Sequence, residues 1–321
     1  MKLERKSIKN IVFMGTPQFA VPALEMLSNT KFRPVLCITQ PDRPKGRKQK
    51  LLPPEVKIKA LELGIPVIQP NDVNDPEVVA DLADLKPDII ITVAYGGYLK
   101  KAIRKLPVYS CINLHPSLLP KHRGAAPINY ALFNGDERTG VTIFKIIAKM
   151  DAGPVISQSE TEIRKDECYT ELSDRLAQIG AEEVLKALKK IEKHGLYTTP
   201  QEHKNATFSH KLQKEDLIID WNQPAENICN KVRGLAEIPG AVASFRKSRI
   251  KIIETEILKT NSGLVPGSIV SIVKNRGIIL ATGDFDVLNK RIQPAGKKIM
   301  TSYAFSLGAR INLKEKFENG F

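Results

Sequence analysis

An amide, an imidazole and a carboxylate are placed in this chain where they can act on one carbon. The run Asn113-Leu114-His115-Pro116-Ser117-Leu118-Leu119-Pro120 follows an apolar stretch, and Met150-Asp151-Ala152-Gly153 answers it downstream. Asn113 offers an amide that can donate a hydrogen bond, His115 a base that titrates near neutrality, and Asp151 an acid to orient it. Acyl transfer through a tetrahedral oxyanion needs that combination. Asn113 and His115 stand two apart at what reads as a strand end, so their side chains project to one face. Pro116 and Pro120 push the residues before them towards extended geometry, which makes a stiff loop around the imidazole. Taken singly, a histidine is more often structural and an asparagine at a strand end more often a turn former; the set of three carries the reading.

These residues need a scaffold, and the first third of the chain predicts one. Apolar runs at 11–14, 35–39 and 89–93 are each followed by a helical pattern, at 19–27, 55–63 and 99–105. Strand-helix alternation of this kind means a parallel sheet with helices on its faces. Residues 111–114 make a further strand, and the polar cluster begins at its carboxyl end, the edge on which open α/β sheets bind ligands. Residues 141–147 and 154–159 read as a hairpin with Asp151 at its tip. A long amphipathic pattern from Tyr169 to His194 ends in Gly195 and completes this part. The turn Met14-Gly15-Thr16-Pro17-Gln18-Phe19-Ala20 has one glycine where a dinucleotide fingerprint needs three, and no phosphate-binding G-x-x-x-x-G-K-[ST] loop occurs, which disfavours NAD and ATP.

The pattern lapses over 196–215, a polar, turn-rich stretch expected to be a linker. A helical pattern at 225–233 and strand-like runs at 241–245, 250–256, 267–273, 277–281 and 285–292 then suggest a small β-barrel. The expected division is a catalytic domain over 1–195, a linker over 196–215 and a barrel over 216–321. Charge separates these parts. The 321 residues carry 49 Lys and Arg against 35 Asp and Glu, a net +14, and from residue 211 onwards there are 18 basic residues against 11 acidic ones. A second concentration is Arg43-Pro44-Lys45-Gly46-Arg47-Lys48-Gln49-Lys50, with five cations (Arg43, Lys45, Arg47, Lys48 and Lys50) and no acid. A solvated loop would account for such a run, but this one follows the second strand and so sits on the same carboxyl edge as the polar cluster. A polyanionic partner is the expectation. The four cysteines are far apart, with no metal-ligand spacing, so no metal is expected; Cys37 and Cys111 read as small buried hydrophobes of a reducing compartment, the cytoplasm. No stretch has the length of a membrane span, so no membrane partner is expected.

The run from Cys111 to Pro120, continued by Arg123-Gly124-Ala125-Ala126-Pro127-Ile128, resembles the signature of folate-dependent formyltransferases. Met14-Gly15-Thr16-Pro17, Gln40-Pro41-Asp42-Arg43-Pro44-Lys45-Gly46-Arg47, Gly140-Val141-Thr142-Ile143 and Gln293-Pro294-Ala295-Gly296-Lys297-Lys298 resemble the branch of that family that acts on methionyl-tRNA, and the similarity spans nearly the whole chain. The chain departs from the pattern at Gly97-Tyr98, where aliphatic residues are frequent, and at His122, an often aromatic position.

The resemblance implies an α/β fold, a Rossmann-like, mostly parallel sheet followed by an oligonucleotide-binding-like barrel. It implies 10-formyltetrahydrofolate as formyl donor and the α-amino group of methionyl initiator tRNA as acceptor. The pterin is then expected in an apolar slot beside residues 91–99, including Tyr95 and Gly96, with Ser117, Leu118, Leu119 and Pro120 as another wall. The basic loop 43–50 is expected to clasp the acceptor end of the tRNA. The neutral amine attacks the formyl carbon, with the oxyanion held by Asn113 and His115. Asp151 either orients and charges His115 or positions a water that carries the amine proton away; both stay open. A monomer is expected. Three alternatives also stay open: the same chemistry on a small amine such as glycinamide ribonucleotide or an amino sugar nucleotide, a hydrolase that releases formate, and a non-catalytic RNA-binding protein.

Overall fold

Strands covered on both faces carry apolar residues at consecutive rather than alternate positions. Ile11–Gly15 (β1), Leu36–Ile38 (β2) and Ile89–Val93 (β4) are buried throughout, and Ser110–His115 (β5) at every position but Asn113. With Val67–Ile68 (β3) they form a parallel group in the order β5-β4-β1-β2-β3. Arg138–Lys145 (β6) and Val155–Glu162 (β7) extend the sheet beyond β5 as an antiparallel hairpin, giving seven strands. The fold class expected from the sequence is the one observed. The computed structural model describes residues 7–45 and 50–320.

Helices Val21–Ser28 (α1), Glu55–Glu62 (α2), Pro76–Asp84 (α3) and Lys101–Arg104 (α4) connect the parallel strands. On one face of the sheet Val12, Met14, Ile38, Ile90 and Cys111 pack with Leu82, Tyr95, Leu99 and Ile103. Burial pushes the thiols of Cys37 and Cys111 up to about 12, so both behave as small apolar side chains. Tyr169–His194 (α6) buries Leu172, Leu176, Ala177, Ala181, Val184, Leu188 and Ile191, one stripe at helical spacing. It stops where expected: Gly195, at φ 89°, donates its N–H to the Ile191 carbonyl, 2.7 Å away.

Contacts divide the chain into two compact units, and each takes pieces from several places in the sequence. The first comprises residues up to 127, 138–162 and 173–209; the second comprises 128–137, 163–172 and 210–321. The stretch 196–215, expected as a linker, is therefore mostly structured within the first unit. Thr199 exchanges two backbone hydrogen bonds with Val155, and Phe208–Ser209 pairs in parallel with Arg123–Gly124.

In the second unit, Ala241–Phe245 (β8), Ser248–Ile257 (β9), Ile269–Val273 (β10), Gly277–Leu280 (β11), Val287–Pro294 (β12) and Glu318–Asn319 (β13) follow the order β10-β11-β12-β9-β8-β13, all antiparallel. The segment just before β13 bonds to the start of β10, through Phe317 N–H to the Gly267 carbonyl and Ile269 N–H to the Glu315 carbonyl, which curls the sheet towards a barrel. Trp221, Phe245 and Phe317 fill it, with Phe245 stacked on Phe317 at 4.8 Å. Ala225–Leu235 (α7) packs against β9, and Phe133 of Pro127–Phe133 (α5) joins the same core.

Candidate active site

The parallel strands reverse direction of travel at β1 and β4, and the loops leaving their carboxyl ends are tied together by the Thr16 hydroxyl, which donates to the Tyr95 carbonyl at 2.8 Å. Crevices at such switch points are where open α/β sheets take ligands. Asn113 lies beside Thr92 in the β4–β5 register, and the Thr92 hydroxyl donates to Asn113 Oδ1 at 2.7 Å. That bond fixes the carboxamide, with its oxygen towards Thr92 and its nitrogen away from it. Thr92 is the one polar residue of an otherwise aliphatic strand, and that interruption is its mark in the sequence.

His115 ends β5 and is buried. Its Nε2 lies 2.9 Å from the carbonyl of His122. A carbonyl can only accept, so Nε2 carries the proton and Nδ1 holds the lone pair. Nδ1 faces Asp151 Oδ2 at 3.8 Å, so the structure brings these two residues together. Burial holds the imidazole below its usual value of 6.5, against the opposing pull of the Asp151 carboxylate and the His122 carbonyl. His115 is thus neutral at neutral pH. As pH falls through 6.5 the unfolded chain binds a proton that the folded chain still refuses, so this group costs stability on the acid side and nothing above it. With the Nε2 proton given to the His122 carbonyl, Asn113 offers an amide N–H and His115 Nδ1 a lone pair.

Asp151 sits in the loop between β6 and β7 with φ 47°, a left-handed conformation that costs a side-chain-bearing residue energy. The chain can turn there because of its neighbour. A Cβ on Gly153 would come within 1.7 Å of the Lys145 carbonyl oxygen, so only glycine fits. The Asp151 carboxylate accepts from the Gly124 N–H at 2.8 Å. Gly124 itself has φ 123° and runs so close to Ser209 that a Cβ would meet its carbonyl oxygen at 2.2 Å. The sequence reading missed what holds these loops. Gln201, in the stretch expected as a linker, bonds the main chain of Asp151 and Gly153 on one side and buried Arg123 on the other.

The residues expected around a pterin divide by what they still offer. Ser117 and Leu119 are buried; the Ser117 carbonyl accepts from Thr142, the Leu119 N–H donates to Thr142, and the Leu119 carbonyl accepts from Gln158. Leu118 and Pro120 are half-buried and present apolar surface. The Tyr95 ring is packed in the core and its hydroxyl pushed up to about 12 by burial, so Tyr95 offers a ligand its main chain only; Gly96 follows at φ 82°. Beyond them, the exposed Tyr98 donates its hydroxyl to the Ala148 carbonyl at 3.1 Å, joining this loop to the one that carries Asp151.

Of the five basic-loop residues, Arg43 and Lys45 lie in Arg43–Lys45 and Lys50 in Lys50–Leu52, the two arms of a short antiparallel hairpin. Arg47 and Lys48 lie outside the described residues. The hairpin's base is anchored by Asp42, whose carboxylate accepts from Gln69 at 2.7 Å and from Lys57 at 2.9 Å and is held below the usual carboxylate range by both. Among the described residues no cluster of three metal-ligating side chains occurs, and no helix is long and apolar enough to cross a membrane.

Two family models match in tandem, one described as formyl transferase over residues 9–188 and one as formyl transferase, C-terminal domain, over residues 211–310. A methionyl-tRNA formyltransferase of Sulfurihydrogenibium sp. is 41% identical over 309 residues, 96% of this chain and 99% of that one. Among solved structures, an N-formyltransferase from Helicobacter canadensis in complex with folinic acid and dTDP-3-aminofucose aligns with a TM-score of 0.67 at 19% identity, over 89% of this chain and 99% of that one. HypX from Aquifex aeolicus in complex with tetrahydrofolic acid aligns with a TM-score of 0.62 at 18% identity; the match covers 94% of this chain but 47% of that one, so this chain spans about half of it. At such identities the two structures speak for the fold.

Proposed function

We infer that this chain, which belongs to the formyl transferase family, transfers the formyl group of 10-formyltetrahydrofolate to the α-amino group of methionyl initiator tRNA, preparing it for translation initiation. The observation that carries the acceptor is the end-to-end match to methionyl-tRNA formyltransferases, with both family domains present. The folate supplies an activated one-carbon unit at formyl oxidation level. The chain's own groups then have distinct tasks. The Asn113 amide, fixed by Thr92, donates to the formyl oxygen as it gains negative charge. His115 Nδ1 takes the proton released by the attacking amine, with the Asp151 carboxylate beside it stabilising the imidazolium so formed, and returns that proton to N10 as the bond between N10 and the formyl carbon breaks and tetrahydrofolate leaves. Because burial keeps the imidazole neutral beforehand, it is ready as a base when the amine arrives.

Leu118 and Pro120 provide an apolar wall for the pterin, with the main chain at Tyr95 and Gly96 opposite. Arg43, Lys45, Arg47, Lys48 and Lys50 draw in the phosphates of the acceptor end, and the basic second unit, from residue 210 onwards, tracks the RNA backbone. The chemistry belongs to the first unit, which holds Asn113, His115 and Asp151. All three reacting groups come from one chain, in keeping with a monomer, and the substrates place it in the cytoplasm. The test is mass spectrometry of the product after mixing purified protein, 10-formyltetrahydrofolate and charged initiator tRNA, with glycinamide ribonucleotide and an amino sugar nucleotide as parallel acceptors. Formyl-methionine formed only on charged tRNA is the expected result. Formylation of a small amine, or formate release with no acceptor present, overturns it.

A further inference from the structure

We propose that Gln201 is a positioning residue of the transfer reaction, setting the aim of the Asp151 carboxylate without touching the reacting atoms; the proposal rests on the reading of Asp151 given above. Gln201 is 7% exposed, and both ends of its amide are fully used. Its Nε2 donates to the carbonyls of Asp151 at 2.9 Å and Gly153 at 2.6 Å. Its Oε1 accepts from Arg123 Nε at 3.1 Å and Nη2 at 2.6 Å. Two hydrogens and two lone pairs are all that a carboxamide has.

The partners matter more than their number. Asp151 takes φ 47°, a left-handed conformation that aspartate tolerates at some cost, and hydrogen bonds from outside the loop hold it there. Gln201 holds it at the carbonyl. Arg123 precedes Gly124, whose N–H donates to Asp151 Oδ2, so the same amide also steadies the strand that grips the carboxylate. Arg123 adds a buried positive charge that interacts with Asp151. Gln201 reaches this place because Thr199, two residues earlier, is locked to Val155 at the start of β7. One side chain therefore controls both the main chain and the hydrogen-bond donor that set the 3.8 Å separation of Asp151 from His115.

The experiment compares Gln201→Met, Asp151→Asn and the double variant in the full chain, following kcat, both KM values, the pH profile of kcat and thermal unfolding. Gln201→Met is expected to lower kcat by about tenfold or more with KM values changed less than about threefold, and to shift the pH profile, as a change in the His115–Asp151 pair does. In the Asp151→Asn background the same substitution is expected to have no further effect, since residues acting through one another are not additive. Should Gln201→Met fail to fold, Gln201→Glu carries the test: it keeps both bonds from Arg123 and loses both donors to the Asp151 loop. Full kcat in Gln201→Met or Gln201→Glu beside a crippled Asp151→Asn overturns the proposal alone. An equal loss in both backgrounds does the same, because Gln201 would then act elsewhere. A fully active Asp151→Asn overturns the reading of Asp151, and this proposal with it.

Discussion

The crevice around Asn113 and the surface of the second unit use polar groups in opposite ways. In the crevice they are few, shielded and held by defined partners: Thr92 to Asn113, His115 to the His122 carbonyl, Gly124 to Asp151. On the second unit they are many and exposed, and several cations are engaged with acids of the same unit, Arg246 with Glu315 at 2.6 Å, Lys290 with Glu256 at 2.9 Å and Arg291 with Glu237 at 2.8 Å. A buried hydrogen bond has no water to replace it and its loss is felt in full; an exposed ion pair exchanges one solvated state for another. The first region works through position, the second through field.

That contrast breaks most sharply at Asn113. Asn113→Ala is expected to lower kcat by about 100-fold or more, the usual cost of an oxyanion donor, while the protein unfolds at its normal temperature. Near-normal turnover would remove position as the principle of the crevice. Next in size, replacing Arg43 and Lys50 together by glutamate is expected to raise the KM for tRNA about tenfold and to flatten its salt dependence, leaving the KM for folate alone. Titrating KM against salt reads this directly, and an unchanged slope denies the hairpin any phosphate contact. Smaller again, Thr92→Val keeps shape and loses the hydroxyl, and kcat is expected to fall about fivefold, with Thr92→Ser restoring it; one net hydrogen bond of about 1 kcal/mol corresponds to that factor. At the bottom of the scale, Arg291→Ala removes a half-exposed pair with Glu237 and is expected to leave both kcat and the melting temperature unchanged. A large effect there would mean that the second unit, too, depends on geometry.

Legibility in the sequence followed the same line. Ile89–Val93 and Ala241–Phe245 could be bounded to the residue, since a buried strand is a run of apolar letters with turn formers on either side. Tyr169–His194 was equally plain because its stripe is long and ends in glycine. Pro76–Asp84 and Pro127–Phe133 were passed over: each is short, and the proline that opens it reads as a break unless its place in the first helical turn is recognised. In the crevice, Asn113, His115 and Asp151 stand out in the sequence because their types are chemically expressive. Arg123, seen in the signature run, gained a task only in three dimensions. Gln201 was invisible for a related reason: its partners lie 48 to 78 residues away, and a polar stretch without periodicity looks like a connection. The Nε2 hydrogen bond of His115 to a backbone carbonyl leaves no mark in the sequence at all, and it is what leaves Nδ1 with the lone pair.

The way the chain is dealt out between its two units bears on modularity. Residues 128–137 and 163–172 belong with the carboxyl-terminal unit although they precede most of the first unit's long helix, so the backbone crosses from one unit to the other five times. Phe133 lies against Gly234 so closely that a Cβ there would overlap its ring, and Asn129 donates to the Gly234 carbonyl at 2.8 Å. A graft that cut after Ser209 to move the barrel onto another enzyme would leave these pieces behind and open its core at Phe133. Exchange of carboxyl-terminal halves between such proteins, by recombination or by design, is therefore closed to a single junction.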